Sequence, residues 1–284
     1  MHYHDRMAKL LTGLLLALIL CAPATGHGAI AWTALEKGLD MAELSPQAGT
    51  GMPSYAAIRI LRIDPHHFTF RLYSARWEGG APRTLREWAQ SKGLAAAINA
   101  CMFQKDGLTA TGYMREGEQI NNGRIAARYG AFFAANPRKA GLPQATVLNR
   151  SHDDWQALLP QYGTVVQNFR LTDRAGDPLW PQDGPSHAVS AMAQTRDGRI
   201  LFMHCAEPVT IHAFASLLKL HPELRIKDAL YAEGGKEAAL LVRSKEGRTR
   251  VWGGKSPLRY LFSAGGQDAE LPNILGIVRR QGTR

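Results

Sequence analysis

Residues 209–242 read VTIHAFASLLKLHPELRIKDALYAEGGKEAALLV, and this stretch predicts a helix, a strand, a tight turn and a second strand. The helix covers 211–220, where apolar residues recur at helical spacing and Thr210 can cap the first turn. The apolar runs on either side of the turn have the length of buried strands. A helix followed directly by strands indicates helices that flank a sheet.

Glu233 ends the first of these two strands and is followed by Gly234 and Gly235. Glycines permit a tight turn and let another group approach the backbone closely. Two interpretations are open. Either the carboxylate is a turn residue that pairs with Lys236 or Arg243, or it lies beside space for a ligand.

A hairpin is predicted just upstream. The runs HAVSAMAQT and RILFMHCA flank Arg196-Asp197-Gly198, which is a typical hairpin turn sequence. In such a hairpin we expect His187 and His204 to lie side by side at its open end.

The first half of the chain gives a similar pattern. AAIRILRI (56–63) and FTFRLYSA (68–75) are separated by four residues and together predict a second hairpin. RTLREWAQSKG (83–93) predicts a helix that Gly93 ends, and LAAAINA (94–100) predicts a buried strand. Further segments are predicted as the strands GAFFAANP (130–137) and TVVQNFRL (164–171), with a helix beginning at Ser151 between them.

Strands joined by both hairpins and helices predict an α+β fold with a mixed, largely antiparallel β-sheet core and flanking helices. The chain has 284 residues and no repeat or long linker, so we expect a single domain over 56–284. Residues 25–55 have a mixed composition that is interrupted by Gly and Pro. We interpret them as a short N-terminal segment that precedes this domain.

The N-terminus predicts export. Arg6 and Lys9 precede an apolar run, Leu10–Leu20, that is too short to cross a membrane. Ala22-Pro23-Ala24 follows with small residues at signal-peptidase spacing, so residues 1–24 are predicted to be a signal peptide. We expect a periplasmic or secreted protein without a stable membrane span. A lipoprotein acylated at Cys21 is the less favoured alternative, because Leu20 is bulky where a small residue is expected.

The formal net charge is +10, and removal of residues 1–24 takes away two basic residues and one acidic residue, which leaves +9. The basic residues are scattered, and no run alternates them with aromatic residues as nucleic-acid-binding proteins do. We therefore expect no nucleic-acid partner. An exported cationic protein is suited to anionic polymers of the envelope or to phosphate-bearing glycans, and a solvated basic surface is the alternative.

Three stretches in order resemble the phosphodiester glycosidase family. They are AAINACMFQKDGLTATGYMREGEQIN (96–121), HAVSAMAQTRDGRILFMH (187–204) and the opening stretch 209–242. The resemblance extends over roughly residues 56–279. The chain departs from the family pattern at four places, which carry Glu233 for Asp, Lys236–Ala239 for small hydroxyl residues, Ser186-His187 for Arg, and Cys101 for Gly.

The resemblance implies a hydrolase that cleaves the glycosidic C–O bond of a sugar-1-phosphodiester. A phosphate monoester is a far better leaving group than an alcohol, so one carboxylate, a phosphate clamp and a positioned water can suffice. The alternative is a non-catalytic protein that binds anionic glycans on the same scaffold. A serine hydrolase built on Ser186 and His187 ranks last, because no Gly-x-Ser-x-Gly motif is present.

Four residues are the predicted catalytic set. Glu233 is expected to act as nucleophile, general base or stabiliser of positive charge on the sugar ring. Asn99 ends a buried strand, and its amide either contacts a phosphate or sugar oxygen or satisfies nearby backbone. His187 and His204 are expected to hold the phosphate or to transfer a proton, and His187 receives the phosphate role because it takes the place of the family's Arg.

Substrate contacts are predicted at Phe103, as a platform for a sugar or as a core residue, and at Thr111-Gly112, as a phosphate-approaching loop. Gly234 and Gly235 are predicted to clear space for the ligand. We expect no cofactor and no obligatory metal, because no spacing matches a zinc site. Cys101 and Cys205 are predicted either to form a disulfide across the floor of the site or to remain buried thiols.

Overall fold

A computed structural model describes residues 29–253 and 268–280 of the chain. The predicted signal peptide, residues 1–24, and the lipoprotein alternative at Cys21 lie outside the described residues. Within them, no helix is long and apolar enough to cross a membrane.

Three antiparallel sheets and one two-stranded ribbon make up most of the structure. The first sheet has the order β1 (Thr33–Glu36), β2 (Leu39–Leu44), β3 (Ile58–Ile63), β13 (Ile200–Val209), β12 (His187–Thr195), β14 (Ile226–Gly234). The second has the order β10 (Ala145–Asn149), β9 (Ala131–Pro137), β11 (Tyr162–Asn168), β7 (Met114–Glu116), β8 (Gln119–Asn122). The third has the order β16 (Thr249–Gly253), β15 (Ala239–Arg243), β6 (Ala96–Asn99), β18 (Asn273–Arg279), β4 (Phe68–Ser74), and the ribbon joins β17 (Glu270–Leu271) to β5 (Arg83–Thr84).

Among the described residues, three α-helices accompany the sheets: α1 (Leu85–Lys92), α2 (Trp155–Leu158) and α3 (Ile211–Lys219). α1 begins with a capping box between Thr84 and Glu87 and ends at Gly93, which adopts φ +64°. Thr210 caps α3 as its sequence predicts. The helix predicted to begin at Ser151 is shorter than expected, because Asp154 caps it and it ends at Leu158.

The predicted α+β class with largely antiparallel strands is confirmed in outline, but two details are wrong. Every strand pair among residues 29–253 and 268–280 is antiparallel, so the sheets are not mixed. The strands also form three sheets around the core and not one central sheet. The antiparallel direction of the strands is typical of a chain that reverses by hairpins and short connections, because a parallel pair requires a long crossover.

The predicted hairpin between 56–63 and 68–75 is wrong. β3 pairs with β2 and β13 in the first sheet, whereas β4 pairs with β18 in the third. Leu61 and Ile63 of β3 nevertheless pack in the same core cluster as the apolar residues of β4. The chain therefore crosses from one sheet to another over a shared core, and the local sequence pattern cannot distinguish this from a hairpin.

The first sheet separates two cores. Its inner face packs against the second and third sheets through Met192, Phe202 and Leu230. Its outer face packs on α3 through residues such as Leu201 and Met203. The hairpin of β12 and β13 is confirmed, with Gly198 at φ +82° in its turn.

Candidate active site

A row of polar side chains crosses the inner face of the first sheet. Arg59 on β3 is paired with His204 on β13, His204 with Ser190 on β12, and Ser190 with Glu233 on β14. Residues directly opposite each other on neighbouring strands bring their side chains together on one face. Ser190 and His204 are fully buried and Glu233 is 8% exposed. Polar groups so deep in a core need specific partners, so this row is the candidate site.

A β-bulge brings Glu233 into this row. The register pairs Ser190 with Glu233 but the next residue, Ala191, with Tyr231, so Ala232 is an extra residue on β14. Strict alternation would put Glu233 on the outer face, where Tyr231 packs near α3. The bulge places both Ala232 and Glu233 opposite Ser190, and bulges commonly redirect side chains beside functional sites.

Glu233 is a buried carboxyl without a cation beside it. Its Oε1 accepts a hydrogen bond from the Gly234 N–H at 2.9 Å. Burial, with a smaller contribution from the nearby Glu237 carboxylate, raises its pKa to about 8, although the hydrogen bond from the Gly234 N–H acts in the opposite direction. Lys236 pairs with Glu237 at 3.5 Å, and no ion pair joins Glu233 to Lys236 or Arg243 in the part of the chain that the structure describes. Glu233 is therefore mainly protonated at neutral pH.

The two glycines have different surroundings. A Cβ on Gly234 would lie 2.6 Å from the His187 ring and even closer to the Tyr231 hydroxyl. Because Gly234 has no side chain, the His187 ring and the Tyr231 hydroxyl can pack against it. These groups occupy the space that the sequence predicted to be open for a ligand. Gly235 adopts φ +74° and has only the Glu237 carboxylate, at 3.9 Å, near its would-be Cβ. Its role is the tight turn after β14.

Asn99 holds that turn through its amide. Its Nδ2 donates to the Glu237 carbonyl, and its Oδ1 accepts from the Ala239 N–H at 2.7 Å. The Ser190 hydroxyl donates to the same Oδ1 at 3.4 Å. Of the two roles considered from the sequence, these contacts correspond to satisfying the backbone, so Asn99 ties β6 to the turn that follows Glu233.

His204 is a neutral, buried member of the row. Burial, with a smaller contribution from the positive charge of Arg59, lowers its pKa to about 3. Its Nδ1 lies 3.0 Å from the Ser190 hydroxyl, whereas its Nε2 has no hydrogen-bond partner among the described residues. Burial thus favours the neutral imidazole, and the predicted role of His204 as a phosphate ligand or proton carrier stays a prediction.

His187 lies elsewhere on the hairpin. It is paired with Val209, whereas His204 is paired with Ser190, so the predicted side-by-side pair of histidines is wrong. A register shift beyond Val189 contributes to this separation. The half-buried ring of His187 contacts the Ala188 carbonyl through Nδ1 at 2.8 Å. Since a carbonyl only accepts, Nδ1 carries the proton and Nε2 keeps a free lone pair.

The remaining predicted contacts organise a loop. Thr111 accepts a hydrogen bond from the Tyr129 hydroxyl at 2.8 Å, and a Cβ on Gly112 would lie 2.7 Å from the Tyr129 ring. Both residues thus position Tyr129. Phe103 forms an isolated bridge to Ala110 and is half-buried.

An aromatic row was missed by sequence reasoning. Tyr129 packs on Phe169 with ring centroids 4.3 Å apart, Phe169 on Trp180 at 5.3 Å, and Trp180 on Tyr231 at 5.2 Å. These rings come from four separate segments, so no spacing in the sequence indicates that they meet. Ser190 was also missed, although its alternation with Met192 on a buried strand puts a hydroxyl on the face that enters the core.

Of the two alternatives for Cys101 and Cys205, the structure has buried free thiols and no disulfide between them. Cys101 packs in the inner core and Cys205 in the outer core of the first sheet, so the sheet separates them. Burial and the nearby Glu233 carboxylate raise the pKa of the Cys101 thiol. Cys101 therefore lies on the same side of the sheet as Glu233. Residues 29–253 and 268–280 contain no cluster of three or more His, Cys, Asp or Glu side chains arranged to hold a metal ion.

Comparison with known proteins agrees with this arrangement of strands. The sequence profile of phosphodiester glycosidases matches residues 92–278, which is more than half of the chain. A comparison with curated proteins found no significant match.

Solved structures share the fold at low sequence identity. The catalytic domain of zebrafish N-acetylglucosamine-1-phosphodiester alpha-N-acetylglucosaminidase, auto-inhibited by its pro-peptide, is 13% identical, with a TM-score of 0.61 over 89% of this chain and 87% of that one. A hypothetical protein from Synechocystis is 12% identical, with a TM-score of 0.57 over 88% of this chain and 64% of that one. A protein from Burkholderia pseudomallei K96243 that is described as exported is 12% identical, with a TM-score of 0.54 over 80% of this chain and 75% of that one.

Proposed function

The chain belongs to the phosphodiester glycosidase family, and from this premise we propose that it hydrolyses the glycosidic C–O bond of a sugar-1-phosphodiester. The observation that carries the proposal is the burial of the Glu233 carboxyl, which the bulge on β14 directs into the polar row and which raises its pKa to about 8. An ionised carboxylate would repel the anionic phosphodiester, whereas a neutral carboxyl can donate a hydrogen bond to it.

Glu233 acts as the general acid. Its proton passes to the glycosidic oxygen as the C–O bond breaks, and the phosphate leaves as a monoester. Water attacks the anomeric carbon and releases its proton to solvent, and Glu233 regains a proton from solvent, which restores the acid.

The other residues of the row position Glu233. Ser190 connects His204 to Asn99, and Asn99 holds the backbone at Glu237 and Ala239. This network fixes the turn from which Glu233 extends, and rigid placement of an acid is a large part of catalysis by proton transfer.

Glu233→Gln tests the proposal. Turnover of a sugar-1-phosphodiester should fall by about a hundredfold or more, because an amide cannot supply the proton. Glu246→Gln removes an exposed carboxylate outside the site and should leave turnover unchanged. Undiminished turnover by Glu233→Gln would remove Glu233 from the mechanism.

A folding control accompanies this test. Burial raises the pKa of Glu233 from 4.5 to about 8, so between these values the folded protein holds a proton that the unfolded chain has lost. Stability from this group therefore declines as pH rises from 4.5 through 8. Glu233→Gln has no carboxyl to titrate, so its stability lacks this pH dependence. Near pH 8 its melting temperature should match or exceed that of the parent.

The competing function is non-catalytic binding of an anionic glycan. The departures at Glu233 and Lys236–Ala239 favour it, because they change the turn that follows the strand. Binding of sugar phosphates without release of sugar across a varied panel of phosphodiesters would select this function over hydrolysis.

Export and an envelope or extracellular glycan as substrate form part of the proposal. The N-terminal pattern supports it, as does the described export of the Burkholderia protein with a similar fold. N-terminal sequencing of the protein from the envelope or medium should begin at Thr25. A sequence that begins at Met1 in a soluble cell extract would contradict export.

A further inference from the structure

A cleft of about 380 Å³ opens between β1, at the edge of the first sheet, and the hairpin of β15 and β16, at the edge of the third. Its volume is in the range of pockets that hold a small organic ligand. Apolar side chains and guanidinium groups line it together, among them Leu35, Leu39, Val242, Arg243, Arg248 and Arg250. The catalytic steps above use none of these residues.

The apolar part of the cleft is an edge of the inner core. Leu39 and Val242 belong to the core cluster that also contains Phe202 and Leu230, and the half-buried Leu35 packs against it. An apolar chain that entered the cleft would add to this core and would be removed from water at the same time.

The two walls of the cleft are joined by one arginine. Glu36, at the end of β1, accepts hydrogen bonds from Nε and Nη2 of Arg279 at 2.9 and 2.7 Å. The same Nη2 donates to the Arg243 carbonyl at 2.9 Å, so this guanidinium ties β1 to β15. A cleft whose walls are fixed in this way loses little conformational entropy when a ligand binds.

Two arginines of the cleft have no counter-ion in the part of the chain that the structure describes. The guanidinium groups of Arg243 and Arg250 have neither a hydrogen bond nor an ion pair with another described residue. The Glu36 carboxylate, in contrast, is neutralised by Arg279. The cleft therefore keeps a positive charge that an anionic ligand can neutralise.

Arg250 lies directly beside the apolar surface. It is paired with Val242 across β15 and β16, so these two side chains project from the same face. Arg243 extends toward the hairpin turn, where its Nη2 lies 3.7 Å from the position of a Cβ on Gly247. Positive charge and apolar surface thus meet in one cleft, which is the arrangement that binds an anionic amphiphile.

The carboxylates of the cleft favour a ligand with a single negative charge. Glu36 and Glu246 also line it, and Glu246 lies 4.0 Å from Arg248. They repel a doubly charged phosphate more strongly than a carboxylate. A guanidinium group can also bind a carboxylate through two parallel hydrogen bonds.

We propose that this cleft binds an apolar chain that ends in a carboxylate, such as a medium-chain fatty acid anion. The chain lies on Leu35 and Val242, and the carboxylate faces Arg243 and Arg250. This binding is separate from the proposed hydrolysis, because Glu233 takes no part in it.

Octanoate is the probe, and its binding to the protein is measured by calorimetry. We expect octanoate to bind at least about tenfold more tightly than acetate, which lacks the chain, and than 1-octanol, which lacks the charge. No binding of octanoate, or equally tight binding of acetate or 1-octanol, would overturn the proposal.

Two arginine variants locate the binding. Arg250→Gln changes an exposed residue and Arg243→Gln a half-buried one, and each should weaken octanoate binding about tenfold. Arg196→Gln removes an exposed charge outside the cleft and should have no effect. Equal affinities for all three variants would contradict the assignment.

Ala34→Glu tests the cleft without removal of an arginine. Ala34 is exposed and lines the cleft, so the added carboxylate should repel octanoate and weaken its binding about tenfold. Thr33→Glu adds the same charge at a neighbouring exposed position that does not line the cleft, and it should weaken binding much less. Equal effects of the two substitutions would count against this site.

Glu233→Gln separates the cleft from the candidate active site. This variant should bind octanoate as tightly as the parent, whatever its turnover of phosphodiesters. Loss of octanoate binding in Glu233→Gln would place the ligand at the active site and overturn the proposal, whereas undiminished turnover would remove only the proposed mechanism of hydrolysis.

Discussion

At the scale of single residues, the chemistry depends on how burial changes the protonation of two groups. Glu233 and His204 lie in one buried row, and burial favours the neutral form of each, so the acid keeps its proton and the imidazole lacks one. The neutral forms of Glu233 and His204 suit an anionic substrate in a weakly polar core. Sequence reasoning could place Glu233 at a strand end, but it could not determine its burial and therefore suggested an ionised carboxylate.

The pH dependence of activity tests this assignment of Glu233. We expect kcat/KM to fall about tenfold for each pH unit above the pKa of about 8, because the ionised carboxylate cannot donate a proton. The measurement is a pH–rate profile with a sugar-1-phosphodiester. A rate that rises through this region would instead make Glu233 a base.

Ser190 provides a second prediction for a single residue. Ser190→Ala leaves the buried Nδ1 of His204 without its partner, so the free energy of unfolding should fall by roughly 1–3 kcal/mol. Ser54→Ala, at an exposed position, is the matched control and should cost little. Urea unfolding that gives the same stability for both variants would show that the Ser190 contact is dispensable.

At the scale of elements, local signals predicted those parts of the fold that local forces determine. The caps of α1 and α3 and the hairpin of β12 and β13 depend on neighbours in sequence, and they are confirmed. The hairpin predicted for β3 and β4 is wrong because strand partners are chosen by packing in a distant core. The bulge on β14 has the same origin, since it exists only relative to β12.

Gly234→Ala tests how the end of β14 is built. Its φ of −133° is open to any residue, so the need for glycine is purely steric. An added Cβ would collide with the His187 ring and the Tyr231 hydroxyl, which should cost roughly 1–3 kcal/mol of stability and shift the end of β14 next to Glu233.

Gly123→Ala is the control for this change. Its nearest neighbour would be an Ile120 methyl at 3.7 Å, which is ordinary contact. Thermal unfolding and turnover should therefore separate the two variants. If Gly234→Ala behaves like Gly123→Ala in both measurements, the close packing around Gly234 has no functional consequence.

At the scale of the whole molecule, the site forms where the first and third sheets meet over a shared core. Asn99 from the third sheet reaches Ser190 of the first, and the turn between β14 and β15 joins the two sheets at Glu233. The aromatic row adds segments next to the second sheet. The family resemblance located the strands that contribute, whereas the contacts between sheets required the folded structure.

The bond that breaks is the most direct test of the account. Mature protein is incubated with a sugar-1-phosphodiester in water enriched in oxygen-18, and both products are analysed by mass spectrometry. Attack of water at the anomeric carbon predicts that the label enters the released sugar and that the phosphate monoester remains unlabelled. Label in the phosphate product would show cleavage of the P–O bond and would contradict the proposed mechanism.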